Sequence, residues 1–318
     1  MAAPRWDSEG RDWPHAAASR FITAGGVKWH VQVMGQGPVA LLLHGTGAAT
    51  HSWRDLAPLL AEHFTVVAPD LPGHGFTSAI GRASPVNVAA ALAALVNALG
   101  LPPALTIGHS AGAAIALTMA HKKLVCPQAI VSLGGALLPF PGLAGKLFPS
   151  MARLLFVNPL APELFAMRTR IPGEVAAFLK RATASPIDAR GVELYERLLR
   201  CSGHIAGALA LMANWDLHPL EAALPGIDLP VLLLHGARDA TIPAATSHNV
   251  AARLPDGRLH VLDGLGHLAH EEAPAAHAAL IRDFAIATRV LAPGDRSPAP
   301  AAKAPTHQPP GTVRPPVH

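Results

Sequence analysis

Ser110 stands between two glycines in Gly108-His109-Ser110-Ala111-Gly112, where the apolar run Leu105-Thr106-Ile107 gives way to the Ala-rich stretch Ala113-Ala114-Ile115-Ala116. The spacing has a steric cause. A strand that turns at once into a helix strains the residue at the corner, and only hydrogen side chains two positions to either side leave room for the neighbouring strand and helix. Such a turn, a nucleophile elbow, pushes its hydroxyl clear of the sheet. A serine hydroxyl is a weak nucleophile at neutral pH, so it needs a base with a pKa of about 7, close to that of free histidine. Two later residues complete the chemistry: Asp239 follows Val231-Leu232-Leu233-Leu234-His235-Gly236, and His267 follows Arg258-Leu259-His260-Val261-Leu262 and Gly264-Leu265-Gly266. In this reading His267 takes the Ser110 proton, while Asp239 fixes the imidazole tautomer and stabilises its cation.

Each of the three residues follows a strand-like segment, and a fourth such segment, Val39-Ala40-Leu41-Leu42-Leu43, runs into His44-Gly45-Thr46-Gly47. That loop matches the one that supplies half of an oxyanion hole in α/β-hydrolases, and the chain order Ser, Asp, His is also theirs. The backbone N–H groups of Ala111 and Thr46 are therefore the expected oxyanion donors; removing one such donor costs on the order of 3 kcal/mol in known systems. The fold class that follows is α/β: an α/β-hydrolase fold with a mostly parallel twisted sheet, helices on both faces and a helical cap inserted after the sixth strand. A chain of 318 residues, half of them hydrophobic, is large enough for such a core. Residues 83–121 contain no Asp, Glu, Lys or Arg. A transmembrane reading of that block fails on Pro102-Pro103, Gly108 and Gly112, which divide it into helix, strand and helix.

The core domain is expected over 1–136 and 222–291. Almost a hundred residues separate the strand at 129–133 from that at 230–234, far more than a crossover needs, so 137–221 is expected to be the helical cap. Its apolar residues, among them Leu154, Leu164, Phe165, Met167, Leu198 and Leu209, recur at helical spacing and are expected to pack over the sheet, leaving an apolar ceiling above Ser110. The Pro/Ala-rich stretch 292–318 cannot bury enough surface to offset its ordering entropy and is expected to be a disordered tail. Half of the net charge of +4 sits there, on Arg296, Lys303 and Arg314 against Asp295. With no basic block and no RNA-binding aromatic signature, nucleic acid is not an expected partner. The opening Met1-Ala2-Ala3-Pro4-Arg5-Trp6-Asp7 has charge and proline where a secretory signal has an apolar core, which predicts a cytoplasmic protein with at most a peripheral membrane contact and no integral membrane segment. Cys126 and Cys201 are expected to be unpaired, buried thiols. The sequence His267-Leu268-Ala269-His270-Glu271 is neither H-E-x-x-H nor its inverse, and no metal or other cofactor is expected. Serine at the elbow, where dehalogenase- and epoxide hydrolase-type relatives carry aspartate, points to acyl or C–C bond hydrolysis. The loop Asp70-Leu71-Pro72-Gly73-His74-Gly75 reads as structural.

Several stretches resemble one family: Asp12-Trp13-Pro14, Thr46-Gly47-Ala48-Ala49-Thr50-His51-Ser52-Trp53-Arg54, Gly135-Ala136-Leu137-Leu138-Pro139-Phe140, Asn214-Trp215-Asp216 and His267-Leu268-Ala269-His270-Glu271-Glu272, of which Thr46–Arg54 and Asn214–Asp216 are the more family-specific, while the elbow and triad are superfamily-wide. They are similar to the BchO family, α/β-hydrolase-like proteins encoded with bacteriochlorophyll-synthesis genes and described as magnesium chelatase accessory proteins. The resemblance spans about residues 5–290. It implies a place in Mg-tetrapyrrole synthesis and two possible roles. One is hydrolysis of an ester or related acyl bond of a small molecule, such as a tetrapyrrole intermediate. The other is non-catalytic porphyrin binding or assembly with magnesium chelatase subunits. A flat macrocycle wants aromatic walls, which makes Trp53, Phe140 and Trp215 pocket candidates, with Arg153 or Arg168 available to propionates.

Overall fold

The computed structural model describes residues 2–139, 154–155, 158 and 160–294. Eight strands form one sheet in the order β1-β2-β4-β3-β5-β6-β7-β8. They are β1 (Ser19–Ala24), β2 (Val27–Met34), β3 (Val39–Leu43), β4 (Thr65–Pro69), β5 (Leu105–His109), β6 (Ala129–Leu133), β7 (Val231–Gly236) and β8 (Gly257–Leu262). The β1–β2 and β2–β4 pairs are antiparallel, whereas every pair from β4 to β8 is parallel. The β1–β2 hairpin closes through Gly25 and Gly26 alone, both at positive φ (57° and 76°), the backbone that a tight turn matching the strand twist demands.

Strand periodicity divides the core into two layers. On β3, Leu41 and Leu43 face a cluster containing Val88, Leu92, Ile115 and Met119, while Ala40 and Leu42 face another containing Leu56, Leu60, Ile281 and Phe284. On β7, Val231 and Leu233 join the first layer and Leu232 and Leu234 the second. Central parallel strands covered on both faces read as unbroken apolar runs, which accounts for the uncharged block in the sequence. Helix Pro85–Leu99 covers the first face; Ser84 caps it by accepting from the Asn87 N–H at 3.3 Å, and Gly100 at φ 66° ends it.

Five helices lie between β6 and β7 among the described residues: Ala161–Arg168, Glu174–Thr183, Ala189–Leu199, Ser202–Ala213 and His218–Ala223. Their apolar residues divide in a way that helical spacing alone did not predict. Leu198 and Leu209 are buried, but Leu154, Leu164, Phe165 and Met167 are exposed. The cysteine expectation also needs correction: both thiols are free, yet Cys126 is exposed on the connection into β6 and Cys201 is only half-buried. Residues 295–318, which hold most of the expected tail, lie outside the described residues. No helix among the described residues is long and apolar enough to cross a membrane.

Helix Ala111–His121 approaches the sheet more closely than any side chain would permit. A Cβ at Gly112 would lie 2.0 Å from the Leu43 carbonyl oxygen, and one at Gly108 would lie 2.4 Å from the backbone of Ala113. Both obstacles are main chain, so neither can rotate away. Gly112→Ala is expected to lower the unfolding free energy by roughly 2 kcal/mol or more, within the range for overpacked cores. A denaturant titration in which the variant unfolds with the wild-type midpoint would contradict this account of the packing.

Candidate active site

Ser110 takes φ 50° and ψ −114°, a conformation that costs a non-glycine residue on the order of 1–3 kcal/mol. The turn is held from both sides: the Ser110 N–H donates to Leu133 O at 2.9 Å, and the Ala136 N–H donates to Ser110 O at 3.1 Å. Gly45 packs directly over it, since a Cβ there would lie 3.1 Å from the Ser110 Cβ. Among the described residues, the N–H groups of Thr46 and Ala111 donate to no other backbone group, which leaves both expected oxyanion donors free there. Ala111 also opens a helix, where the unsatisfied N–H groups and the macrodipole favour negative charge.

His267 Nδ1 lies 2.7 Å from Asp239 Oδ2. The other oxygen of Asp239 accepts from the Thr241 and Ile242 N–H groups, each at 2.8 Å, so the carboxylate is anchored in its own loop. With Nδ1–H donating to the carboxylate, a neutral His267 ring presents a lone pair at Nε2, the form a general base needs. The His267 backbone is fixed to the elbow, because His109, the residue before Ser110, donates from Nε2 to the His267 carbonyl at 3.1 Å. The sequence-predicted Ser110, His267 and Asp239 thus gather at the carboxyl ends of β5, β7 and β8, the edge where parallel α/β sheets place ligands.

The pocket candidates fare differently. Trp53 is only 1% exposed and belongs to the layer with Leu56 and Leu60, its ring 4.9 Å from that of His270. It has no surface to offer a ligand, because the short helical turn after the oxyanion loop carries the indole down against the sheet. Trp215 is half-buried against the opposite layer, which includes Leu211 and Leu217. Phe140 and Arg153 lie outside the described residues. Arg168 is exposed and paired with Glu174 at 2.7 Å. Asp70 is structural, as its sequence setting suggested: its buried carboxylate accepts from the Thr50 and Phe76 N–H groups and lies 2.7 Å from His30 Nδ1. Burial alone would raise its pKa, but His30 and the N–H donor of Phe76 hold it well below the usual carboxylate range.

Sequence reasoning missed the contacts that hold the site loops. His44 donates from Nδ1 to Gly45 O at 2.8 Å and accepts from the Leu71 N–H at 2.8 Å. His204, on the Ser202–Ala213 helix, donates from Nε2 to Gly47 O at 3.0 Å and accepts from the Gly75 N–H at 3.0 Å. A buried pair, Arg54 and Glu271 at 2.6 Å, also receives Ser52 Oγ and the Tyr195 hydroxyl, at 2.7 and 2.8 Å. Burial pushes the Glu271 carboxyl up despite Arg54. These partners come from distant segments: His44, Ser52, Arg54 and Glu271 stand in stretches the sequence singled out, whereas Tyr195 and His204 do not. Among the described residues no three His, Cys, Asp or Glu side chains are grouped as a metal site.

These observations define the class of protein. The chain belongs to the α/β-hydrolase family, whose profile, described as alpha/beta hydrolase fold, matches residues 38–274. Within that family it is BchO-like. It is 41% identical over 281 residues, 86% of this chain and 96% of the relative, to the Magnesium-chelatase 30 kDa subunit of Rhodobacter capsulatus. It is 32% identical over 259 residues, 77% of this chain and 97% of the relative, to the Pimeloyl-[acyl-carrier protein] methyl ester esterase of Aromatoleum aromaticum. A crystal structure of an alpha/beta hydrolase fold protein from Burkholderia ambifaria matches 84% of this chain and 97% of its own, with TM-score 0.70 and 22% identity; it supports the fold alone.

The buried imidazoles make the site acid-labile. Burial lowers the pKa values of His44, His51, His74, His109 and His270, and it brings His204 to about 4. A histidine whose folded pKa lies below its unfolded value of 6.5 binds its proton earlier in the unfolded chain. Its contribution is therefore complete above pH 6.5 and is lost as pH falls towards 4. For His204 alone the loss amounts to about 3 kcal/mol. Thermal unfolding followed from pH 7.5 down to pH 4.5 should show a steep fall in midpoint over this window; a flat profile would contradict it.

Proposed function

We propose that the protein is a serine hydrolase that cleaves an ester or related acyl bond of a small molecule in Mg-tetrapyrrole (bacteriochlorophyll) biosynthesis. Ser110 acts as nucleophile, His267 as general base and then general acid, Asp239 as its orienting carboxylate, and the Thr46 and Ala111 N–H groups as the oxyanion hole. The observation that carries this reading is the 2.7 Å contact from His267 Nδ1 to an Asp239 carboxylate, on a loop bonded to the residue preceding a strained Ser110. His267 takes the Ser110 proton as Oγ attacks the acyl carbon, and returns it to the leaving alkoxide; water then repeats the sequence on the acyl-enzyme. Residues 1–136 and 222–291 form the catalytic core in this reading, and 137–221 the cap over it. The pathway assignment rests on the 41% identical relative named as a magnesium-chelatase subunit, and the bond type on the 32% identical methyl ester esterase.

That same relative's name favours a second reading, in which the protein binds a porphyrin or chelatase subunits without turnover. One residue separates the two. Ser110→Ala should abolish labelling by a fluorophosphonate and lower hydrolysis of a short activated ester by about 1,000-fold or more. In a host lacking the protein, the same variant should fail to restore pigment. Full restoration of pigment by Ser110→Ala would establish the binding role instead, and a wild type that never labels would remove the nucleophile from the account.

A further inference from the structure

The segment joining helices Glu174–Thr183 and Ala189–Leu199 touches the base and acid loops at several points. The His267 N–H donates to Thr183 O at 2.7 Å, and the Leu268 N–H donates to Ser185 Oγ at 2.9 Å. The Ser185 hydroxyl in turn donates to Glu272 Oε1 at 2.6 Å, and the same oxygen accepts from the Gly266 N–H at 2.7 Å. On the acid side, Thr241 Oγ1, two residues past Asp239, donates to Ala182 O at 2.7 Å. The fit is close enough that a Cβ on Gly266 would lie 2.5 Å from both Ser185 Oγ and Thr183 O. Ala184, between the two bonded residues, adopts φ 55°, a left-handed conformation that an alanine avoids unless its surroundings impose it.

The bonds on His267 and its two neighbours are complete: 266 and 268 each donate to the Ser185–Glu272 pair, and 267 donates to Thr183. The core itself contributes the His109 bond to the His267 carbonyl and the Asp239 bond to the ring. Every N–H from 266 to 268 is therefore held either by Glu272, on the adjoining helix, or by a residue inserted between β6 and β7. We propose that Ser185 is a positioning residue for His267, so that the imidazole is aligned on Ser110 only while this inserted segment is seated on the base loop. Displacing the insert along this edge removes the base from register without touching Ser110 or Asp239. The inference rests on the hydrolase reading for its rate measurement alone; the position of the imidazole can be read without turnover.

The test uses the full chain and two readouts. The first is the second-order rate of fluorophosphonate labelling at Ser110. The second is the low-field proton resonance of the His267 Nδ1–H bonded to Asp239, observed by NMR. Ser185→Ala should slow labelling between about ten- and a hundredfold, the range expected when a catalytic group shifts by about 1 Å, and should broaden or remove the low-field proton. Ser185→Thr keeps the hydroxyl and should restore both. Thr241→Val, which breaks only the bond to Ala182, provides a second measurement should Ser185→Ala fold poorly, and should slow labelling to a smaller extent. Wild-type labelling together with an unchanged low-field proton in Ser185→Ala, or in Thr241→Val if that variant replaces it, would overturn the proposal and leave a merely structural bridge. If the wild type itself does not label, the hydrolase reading fails, while the proton signal still decides whether Ser185 places the ring.

Discussion

The distance between helix Ala111–His121 and strands β3 and β5 is the constraint from which the site geometry follows. Gly112 brings the helix within a bare backbone contact of Leu43, and Gly108 does the same from the strand side. With the helix that close, the chain has a single residue in which to reverse from strand to helix, and Ser110 absorbs the strain as positive φ. The same proximity brings the first N–H of the helix beside the loop that follows β3. Gly45 completes the arrangement, because any side chain there would collide with His109 and Ser110. In the proposed reading, the Ser110 hydroxyl attacks while the Thr46 and Ala111 N–H groups and the N-terminus of the helix act together on the developing oxyanion. That is the low-reorganisation environment in which oxyanion donors have most effect.

The loops around this centre are joined largely by neutral histidines. An uncharged imidazole offers one donor and one acceptor on opposite sides of a rigid ring, so it can link the carbonyl of one loop to the N–H of another without burying an ion. His44 does this between Gly45 and Leu71, His204 between Gly47 and Gly75, and His235 between Ile242 O and the Ser247 hydroxyl. A lysine or glutamate in any of these places would bring a charge that burial penalises heavily. These three histidines thus serve as splints between loops. Arg54 and Glu271 differ, forming a buried ion pair whose carboxylate also accepts from Ser52 and Tyr195.

What could be read from the sequence follows from the range of the forces involved. β3, β5, β6 and β7 were visible because strands buried on both faces must be apolar at every position, and the elbow was visible because its steric demand is local. Ser110, Asp239 and His267 could be proposed together for the same reason: each sits one short loop beyond a strand. Trp53 was misassigned to a pocket because an aromatic after an oxyanion loop carries no local mark of which way its turn will face. Cys126 was misassigned because thiols are usually buried, and nothing in Val125-Cys126-Pro127 signals a connection lying at the surface. Ser185 and His204 left no trace at all. Their partners are more than eighty residues away in the chain, and a single serine or histidine in a helical region looks like any other.

Among the described residues between β6 and β7, His204 bonds the loop after β3, Thr183 and Ser185 the loop carrying His267, Ala182 the loop carrying Asp239, and Tyr195 the Arg54–Glu271 pair. In the proposed reading, the described part of the insert is bonded to the active-site loops themselves. Any molecule accommodated between insert and sheet must leave these bonds intact or alter the oxyanion donors and the base together. Under the proposed hydrolase reading, binding and turnover therefore draw on the same contacts. In the proposed reading, binding and turnover separate at Ser110, whose hydroxyl the reaction uses as nucleophile and binding does not need.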